Sequence, residues 1–302
     1  MIAAELMARF ALGLGDPPLF QKDDAIEYVM KPGTYHRFGH TIHINRWSQR
    51  SPDIEAKKSD PNELRVLVIG DSVVNGGALL DDAQIATRLL EDALRTQLAR
   101  PVRVLNIAAG SWGPQNQLAY LQKFGTFDAA AAVVVWNSHD AWDVPRFDGL
   151  RADQPQRRPS LAVGELLTRY ALPRLRRSAP PAPAPTDNDF DQAMQSAIDL
   201  IAFTRSHNLP IAIVLHETRS ELEGKSHADH SLGRGRQLLK DMVTTTGIPL
   251  SFTRIQFAPA LTQGDAVFQD DIHPTASGQK LLAECLEQAV RPLLRSQPPT
   301  SP

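Results

Sequence analysis

Residues 65–72 read Arg65-Val66-Leu67-Val68-Ile69-Gly70-Asp71-Ser72. A short continuous apolar run that ends in glycine suits a strand buried on both faces of a parallel sheet. The chain on either side keeps the same rhythm. Residues 82–99 place Ile85, Leu89, Leu90, Leu94 and Leu98 on one helical face. Val102 to Ala108 reads as a second strand, Pro114 to Phe124 as a helix, and Ala131 to Trp136 as a third strand. Thr186 and Asp189 have the spacing of a capping box, which predicts a helix running to about His207. Ile211 to Leu215 is a fourth strand. A helix over 231–245 and a weak strand near 248–253 follow, and Pro274 opens a last helix carrying Leu281, Leu282, Leu286 and Val290. Strands alternating with helices predict a parallel sheet with helices on both faces.

The chain has 302 residues, 42% apolar and 22% charged. These values are those of an ordinary globular protein and exclude fibrous or wholly disordered classes. With 32 Lys+Arg against 34 Asp+Glu the net charge is −2, so the basic footprint of a nucleic-acid binder is missing. A single cysteine, Cys285, forbids an internal disulfide and any Cys-rich zinc site.

Residues 1–60 are expected to form an irregular, β-type N-terminal extension, and 61–298 the α/β domain. Segment 16–60 is rich in Pro, Gly, His and Tyr, with strand-like pieces such as His40 to Asn45. The first fifteen residues are amphipathic but interrupted by Glu5 and Arg9, with no basic leader before the apolar part. They make a poor signal peptide. A docked surface helix is expected, the tail of an anchor being the alternative; membrane association would run only through this end. Residues 151–186 break the α/β rhythm. Pro173, Pro180, Pro181, Pro183 and Pro185 stand with Arg174, Arg176 and Arg177, which predicts an exposed, extended insertion, with 178–186 free of helix or strand.

In open α/β sheets ligands bind outside the carboxyl ends of the strands. Four clusters fall on that edge. Gly70-Asp71-Ser72 follows the first strand, Asn106 to Gly113 the second, Asn137-Ser138-His139-Asp140 the third, and Asp270-Asp271-Ile272-His273-Pro274 precedes the last helix. Together they supply a hydroxyl, an imidazole, carboxylates and hydrogen-bond donors. Acyl transfer needs that inventory: a nucleophile, a base, a carboxylate to orient the base, and an oxyanion hole. Each cluster alone also reads as an ordinary turn or helix start. Val74 breaks the Gly-x-Ser-x-Gly pattern of a nucleophile elbow, and no dinucleotide or Walker-type glycine loop is present.

The order of these blocks resembles the SGNH (GDSL-type) hydrolase superfamily, over about residues 64–295. The resemblance implies a three-layer α/β/α sandwich with a mostly parallel five-stranded sheet of flavodoxin-like type. It implies Ser72 as nucleophile, His273 as base and Asp270 as its orienting carboxylate. It implies an oxyanion hole from Ser72 and Gly110, with Gly113 as the competing glycine. The third block of the family reads Gly-x-Asn-Asp, so its asparagine falls on His139 here, and Asn137 is the competing donor. No metal or organic cofactor is implied.

The implied function is a serine esterase acting on acyl esters, acetyl first, of a small molecule or a glycan. Two alternatives are a polysaccharide O-acyltransferase using the same triad and a non-catalytic glycan-binding or assembly module. Oligomeric state and compartment are not encoded in any motif. Trp112, Trp136 and Trp142 flank the expected site, either to stack on sugar rings or to pack the sheet edge. His36, His40 and His43, with the looser pair His227 and His230, suggest surface histidines more than zinc ligands.

Overall fold

A computed structural model describes residues 2–172, 184–225 and 230–295. Two antiparallel hairpins precede the main sheet. In the first, β1 (Phe20–Asp23) pairs with β2 (Glu27–Met30). In the second, β3 (Gly33–Arg37) pairs with β4 (His40–Ile44). Five parallel strands follow: β5 (Leu64–Gly70), β6 (Val102–Ala108), β7 (Ala131–Asn137), β8 (Ile211–His216) and β9 (Leu250–Phe252). Their spatial order is β6-β5-β7-β8-β9. The order reverses between β5 and β7, so the chain leaves these two neighbouring strands towards opposite faces of the sheet and a crevice opens at their carboxyl ends.

Among the described residues, six helices cover the sheet: α1 (Ala86–Leu98), α2 (Pro114–Phe124), α3 (Asp187–Ser206), α4 (His230–Thr246), α5 (Arg254–Thr262) and α6 (Ala276–Arg295). Side chains alternate across a strand, and β5 divides accordingly. Leu67 and Ile69 join Tyr120 of α2, Phe190 and Leu200 of α3 and Leu239 of α4. Val66 and Val68 join Leu90 of α1, Phe257 of α5 and Leu286 of α6. The result is the three-layer α/β/α sandwich expected from the alternation, with an all-parallel sheet.

Thr186 opens α3 as the spacing predicts. Its hydroxyl accepts from the Asp189 N–H at 3.3 Å, and the Asp189 carboxylate accepts from the Thr186 N–H at 2.8 Å. The helix over 254–262 has no sequence-level counterpart, because its apolar residues show no helical period.

The N-terminal segment is more regular than its composition suggests. Ile26, Tyr28 and Val29 of the first hairpin enter the core beneath the sheet. Met30, Tyr35, Ile42 and Ile44 form a small core of their own, on which Ala78 of the loop after Ser72 packs. Ahead of the hairpins, a helical turn over Ile2–Leu6 docks where Glu5 accepts the N–H groups of Ala162 and Val163 at 2.9 and 3.0 Å. Ile2, Met7 and Phe10 remain exposed. No described helix is long and apolar enough to cross a membrane.

The segment 151–172 departs from the extended course its neighbours suggest. It carries helix over Ala162–Glu165 that continues through Ala171. The cause is contact with the N-terminal segment: Ala162 packs on Ala8 and Leu14, and Glu165 is buried against Arg37. The prolines and arginines at 173, 174, 176, 177, 180, 181 and 183, most of the stretch 178–186, and His227 lie outside the described residues.

Candidate active site

Ser72 is the first residue of a short helix, Ser72–Asn75, at the end of β5. Asp71 caps it: its carboxylate accepts from the Val73 N–H at 2.9 Å and from the Asn137 amide at 2.9 Å. The N–H of a first helical residue has no intrahelical acceptor, and that of Ser72 has no partner among the described residues. One turn on, the buried Asn75 amide donates to the Ala108 carbonyl at 3.0 Å and to the Met30 sulfur at 3.4 Å. The helix is thus tied to both β6 and the first hairpin.

Asp270 to His273 form a tight loop. The Phe268–Pro274 bridge closes it, and the Gln269 N–H donates to the His273 carbonyl at 2.8 Å. Asp270 Oδ1 accepts the N–H groups of Ile272 and His273 at 2.9 and 2.8 Å, and Oδ2 lies 2.7 Å from His273 Nδ1. A carboxylate can only accept, so Nδ1 carries a proton, and in the neutral ring Nε2 then presents a lone pair. Nε2 lies 2.9 Å from Ser72 Oγ. Burial pushes the Asp270 carboxyl up, but the His273 N–H, its imidazole and the Ile272 N–H outweigh that and hold it below the usual range. Asp271 faces elsewhere: it accepts the N–H and hydroxyl of Ser220 at 2.9 and 2.6 Å.

The loop is held from below by His216, at the end of β8. Its Nε2 lies 2.9 Å from the Ile272 carbonyl and its Nδ1 3.3 Å from the Thr253 hydroxyl. A carbonyl only accepts, so Nε2 carries the proton of a neutral ring. Burial pushes this imidazole down to about 4.

Gly110 and Gly113 differ in surroundings. The Gly113 N–H donates to the Asn116 side chain at 3.1 Å, and a Cβ there would lie 1.9 Å from the Asp143 carbonyl. Gly113 is therefore a packing glycine. Gly110 borders the same cavity as Ser72, a Cβ on it would meet open space, and its N–H has no partner among the described residues. Asn137 and His139 divide in the same way. The buried Asn137 side chain is engaged at both ends, donating to Asp71 and accepting from the His139 N–H at 2.9 Å. The half-buried His139 ring leans on Trp142, centroids 5.1 Å apart, and makes no hydrogen bond among the described residues.

This arrangement can be set beside known proteins. No family model and no curated protein matches the chain. Among solved structures, the acetyl xylan esterase AlAXEase is 11% identical and superposes with a TM-score of 0.52, covering 74% of this chain and 98% of that one. Axe2, an acetylxylan esterase from Geobacillus stearothermophilus, is 16% identical with a TM-score of 0.48, covering 78% of this chain and 97% of that one. A G-D-S-L family lipolytic protein from Veillonella parvula DSM 2008 is 12% identical with a TM-score of 0.45, covering 76% and 99%. The chain has an SGNH/GDSL hydrolase fold.

Within this SGNH-type fold, two of the three tryptophans are removed from any sugar-stacking role. Trp112 and Trp136 are in the core, their indole N–H groups spent on the Tyr28 carbonyl and the Gln117 side chain at 3.2 and 2.8 Å. Only Trp142 reaches a surface groove, where it stands with Asp143 and Arg151. The three N-terminal imidazoles have separate partners: His40 meets Asp81, His36 meets Thr41 and His43 meets Thr34. No group of three possible metal ligands occurs among the described residues.

Behind the site, sequence reading missed Asp143 and did not show the burial of Asp140, a residue of the third block. Asp140 is buried with one oxygen unpartnered. Burial, then the charge of Asp71, push its carboxyl well up. Burial and Asp71 likewise push Asp143 up to about 7. Their signal in the sequence was only that Asp140 belongs to the third block and Asp143 lies close to it, which does not distinguish a buried acid from a solvated one.

Proposed function

We propose that this chain is a serine carboxylic ester hydrolase working through Ser72, His273 and Asp270. The observation that carries the reading is the continuous chain of contacts from Ser72 Oγ to His273 Nε2 to Asp270, at 2.9 and 2.7 Å. The lone pair on Nε2 takes the hydroxyl proton as Oγ bonds to the ester carbonyl carbon. Asp270 keeps the proton on Nδ1 and stabilises the imidazolium that forms. The oxyanion develops beside the free N–H groups of Ser72 and Gly110, with the His139 ring as the side-chain donor. The imidazolium then gives its proton to the alkoxide as the C–O bond breaks, and the alcohol leaves. Water repeats the sequence on the acyl-enzyme, releasing the carboxylic acid and restoring Ser72.

The proposed alcohol half is a carbohydrate hydroxyl, as in the acetyl xylan esterase that shares the fold. A groove of about 740 Å³ supports this: it begins at Ser111, next to Gly110, and offers Asp143, Arg151 and the edge of Trp142. Sugars are held by such mixtures of hydrogen-bonding groups and a flat aromatic surface. The test is hydrolysis of p-nitrophenyl esters and acetylated xylo-oligosaccharides by wild type and Ser72→Ala. Wild-type turnover abolished by the substitution supports the reading; equal rates from the two proteins overturn it.

A further inference from the structure

We infer that the cavity against Ser72 is an acyl-chain pocket, built by the N-terminal hairpins and the segment after residue 150, and that it prefers acyl groups several methylenes longer than acetyl. This rests on the esterase reading above and deepens it.

Position comes first. The cavity wall includes Ser72 and Gly110 but neither His273 nor Asp270. During ester cleavage the leaving alcohol receives its proton from His273, so the alcohol lies on the imidazole side. The acyl half then points away from His273, into the cavity.

Size and chemistry agree with this. The cavity measures about 310 Å³. At roughly 30 Å³ for a water-sized group, that is room for about ten non-hydrogen atoms, whereas acetyl supplies three. Its lining includes Phe20, Met30, Phe38, Ile42 and Ala78, and also Asp153 and Arg169, whose charges are engaged: Arg169 donates to Glu165 at 3.3 Å, and the Asp153 carboxylate accepts from Arg151 at 3.2 Å. Arg37 also borders it, but its guanidinium is committed. It donates to Glu165 at 2.7 and 2.9 Å and to the Tyr170 hydroxyl at 2.6 Å. An apolar chain therefore meets apolar walls and no unpaired charge from that residue.

The pocket is also held in shape. The Arg37–Glu165 pair is buried on both sides and ties β3 to the helix over Ala162–Glu165. The Phe20 N–H donates to the Pro155 carbonyl at 2.8 Å, so β1 is fastened to the same segment. Met30 reaches Asn75 on the nucleophile helix. Both chain segments that decorate the sheet thus converge on one wall beside Ser72. Rigid, preformed apolar walls are what let a pocket discriminate chain length.

The experiment measures kcat/KM for p-nitrophenyl acetate, butanoate, hexanoate and octanoate, below their aggregation concentrations. The expected wild-type profile climbs about fourfold per methylene, the factor carried by burying one such group, and peaks at hexanoate or octanoate. The hexanoate-to-acetate ratio is then read in two variants of opposite volume change. Ala78→Leu should lower it at least tenfold, and Phe20→Ala should move the optimum to a longer chain. A ratio is insensitive to the fraction of folded enzyme, so partial misfolding does not imitate either result. Acetate as the best substrate, or a profile unmoved by both variants, overturns the acyl pocket while leaving the esterase intact. Cleavage of no ester beyond the Ser72→Ala background overturns the esterase reading and this inference with it.

Discussion

The Nε2 atom of His273 lies 2.9 Å from the Oγ of Ser72, across a separation of 201 residues in the chain. Two independent anchors make that distance possible. The Asp71 cap and Asn75 hold the serine helix on β5 and β6. His216 and the Phe268–Pro274 bridge hold the histidine loop against β8.

Asp270→Asn should lower kcat for ester cleavage by about 10⁴, because an amide favours the wrong imidazole tautomer. Asp271→Asn should leave kcat within a few-fold, since Asp271 holds Ser220 and not the imidazole. Steady-state kinetics on one p-nitrophenyl ester decides between them. Greater damage from Asp271→Asn would reassign the pair.

His139→Ala should lower kcat by about 10²–10³ with little change in KM, the usual cost of losing one oxyanion donor. His139→Asn should restore much of it, because an asparagine amide donates in the same manner. Asn137→Ala is expected to act differently, by releasing Asp71 and loosening the serine helix. If His139→Ala leaves kcat untouched, the donor is another group.

Gly113→Ala should destabilise the fold by about 3 kcal/mol or more, since its methyl would overlap the Asp143 carbonyl in a packed interior. Gly110→Ala should leave the urea midpoint almost unchanged, because a Cβ there meets nothing within 4 Å. Equal losses in the two variants would contradict this division.

Stability should fall as pH drops from about 6.5 towards about 4, and His216 is a cause. Its folded-state value lies below its unfolded one, so in that window the unfolded chain binds a proton the folded chain refuses. Stability is then complete above the upper limit and lost on the way down. The shift corresponds to about 3 kcal/mol at its fullest. Urea midpoints across this range should slope for wild type and flatten for His216→Gln. Parallel slopes would place the acid sensitivity elsewhere.

Much of this protein was legible in its sequence. The continuous apolar run of β5 and the alternation after it determined a parallel sheet with helices on both faces, because burial on both sides requires uninterrupted apolar strands. The rule that sites sit at strand ends pointed to four clusters, and the resemblance to SGNH hydrolases singled out Ser72, Asp270 and His273 among them. What sequence left open was settled by contacts between distant segments. Gly110 and Gly113 are alike as letters, and only the proximity of Asp143 to one of them distinguishes packing from exposure. Trp112 and Trp136 looked equivalent to Trp142 until burial separated them. The N-terminal hairpins and the segment after residue 150 carry weak periodicity of their own. They are joined by contacts between distant residues, among them the buried ion pair of Arg37 with Glu165, whose members stand 128 residues apart. Short-range pattern records which face of an element is buried; which two segments meet is decided only when the whole chain packs.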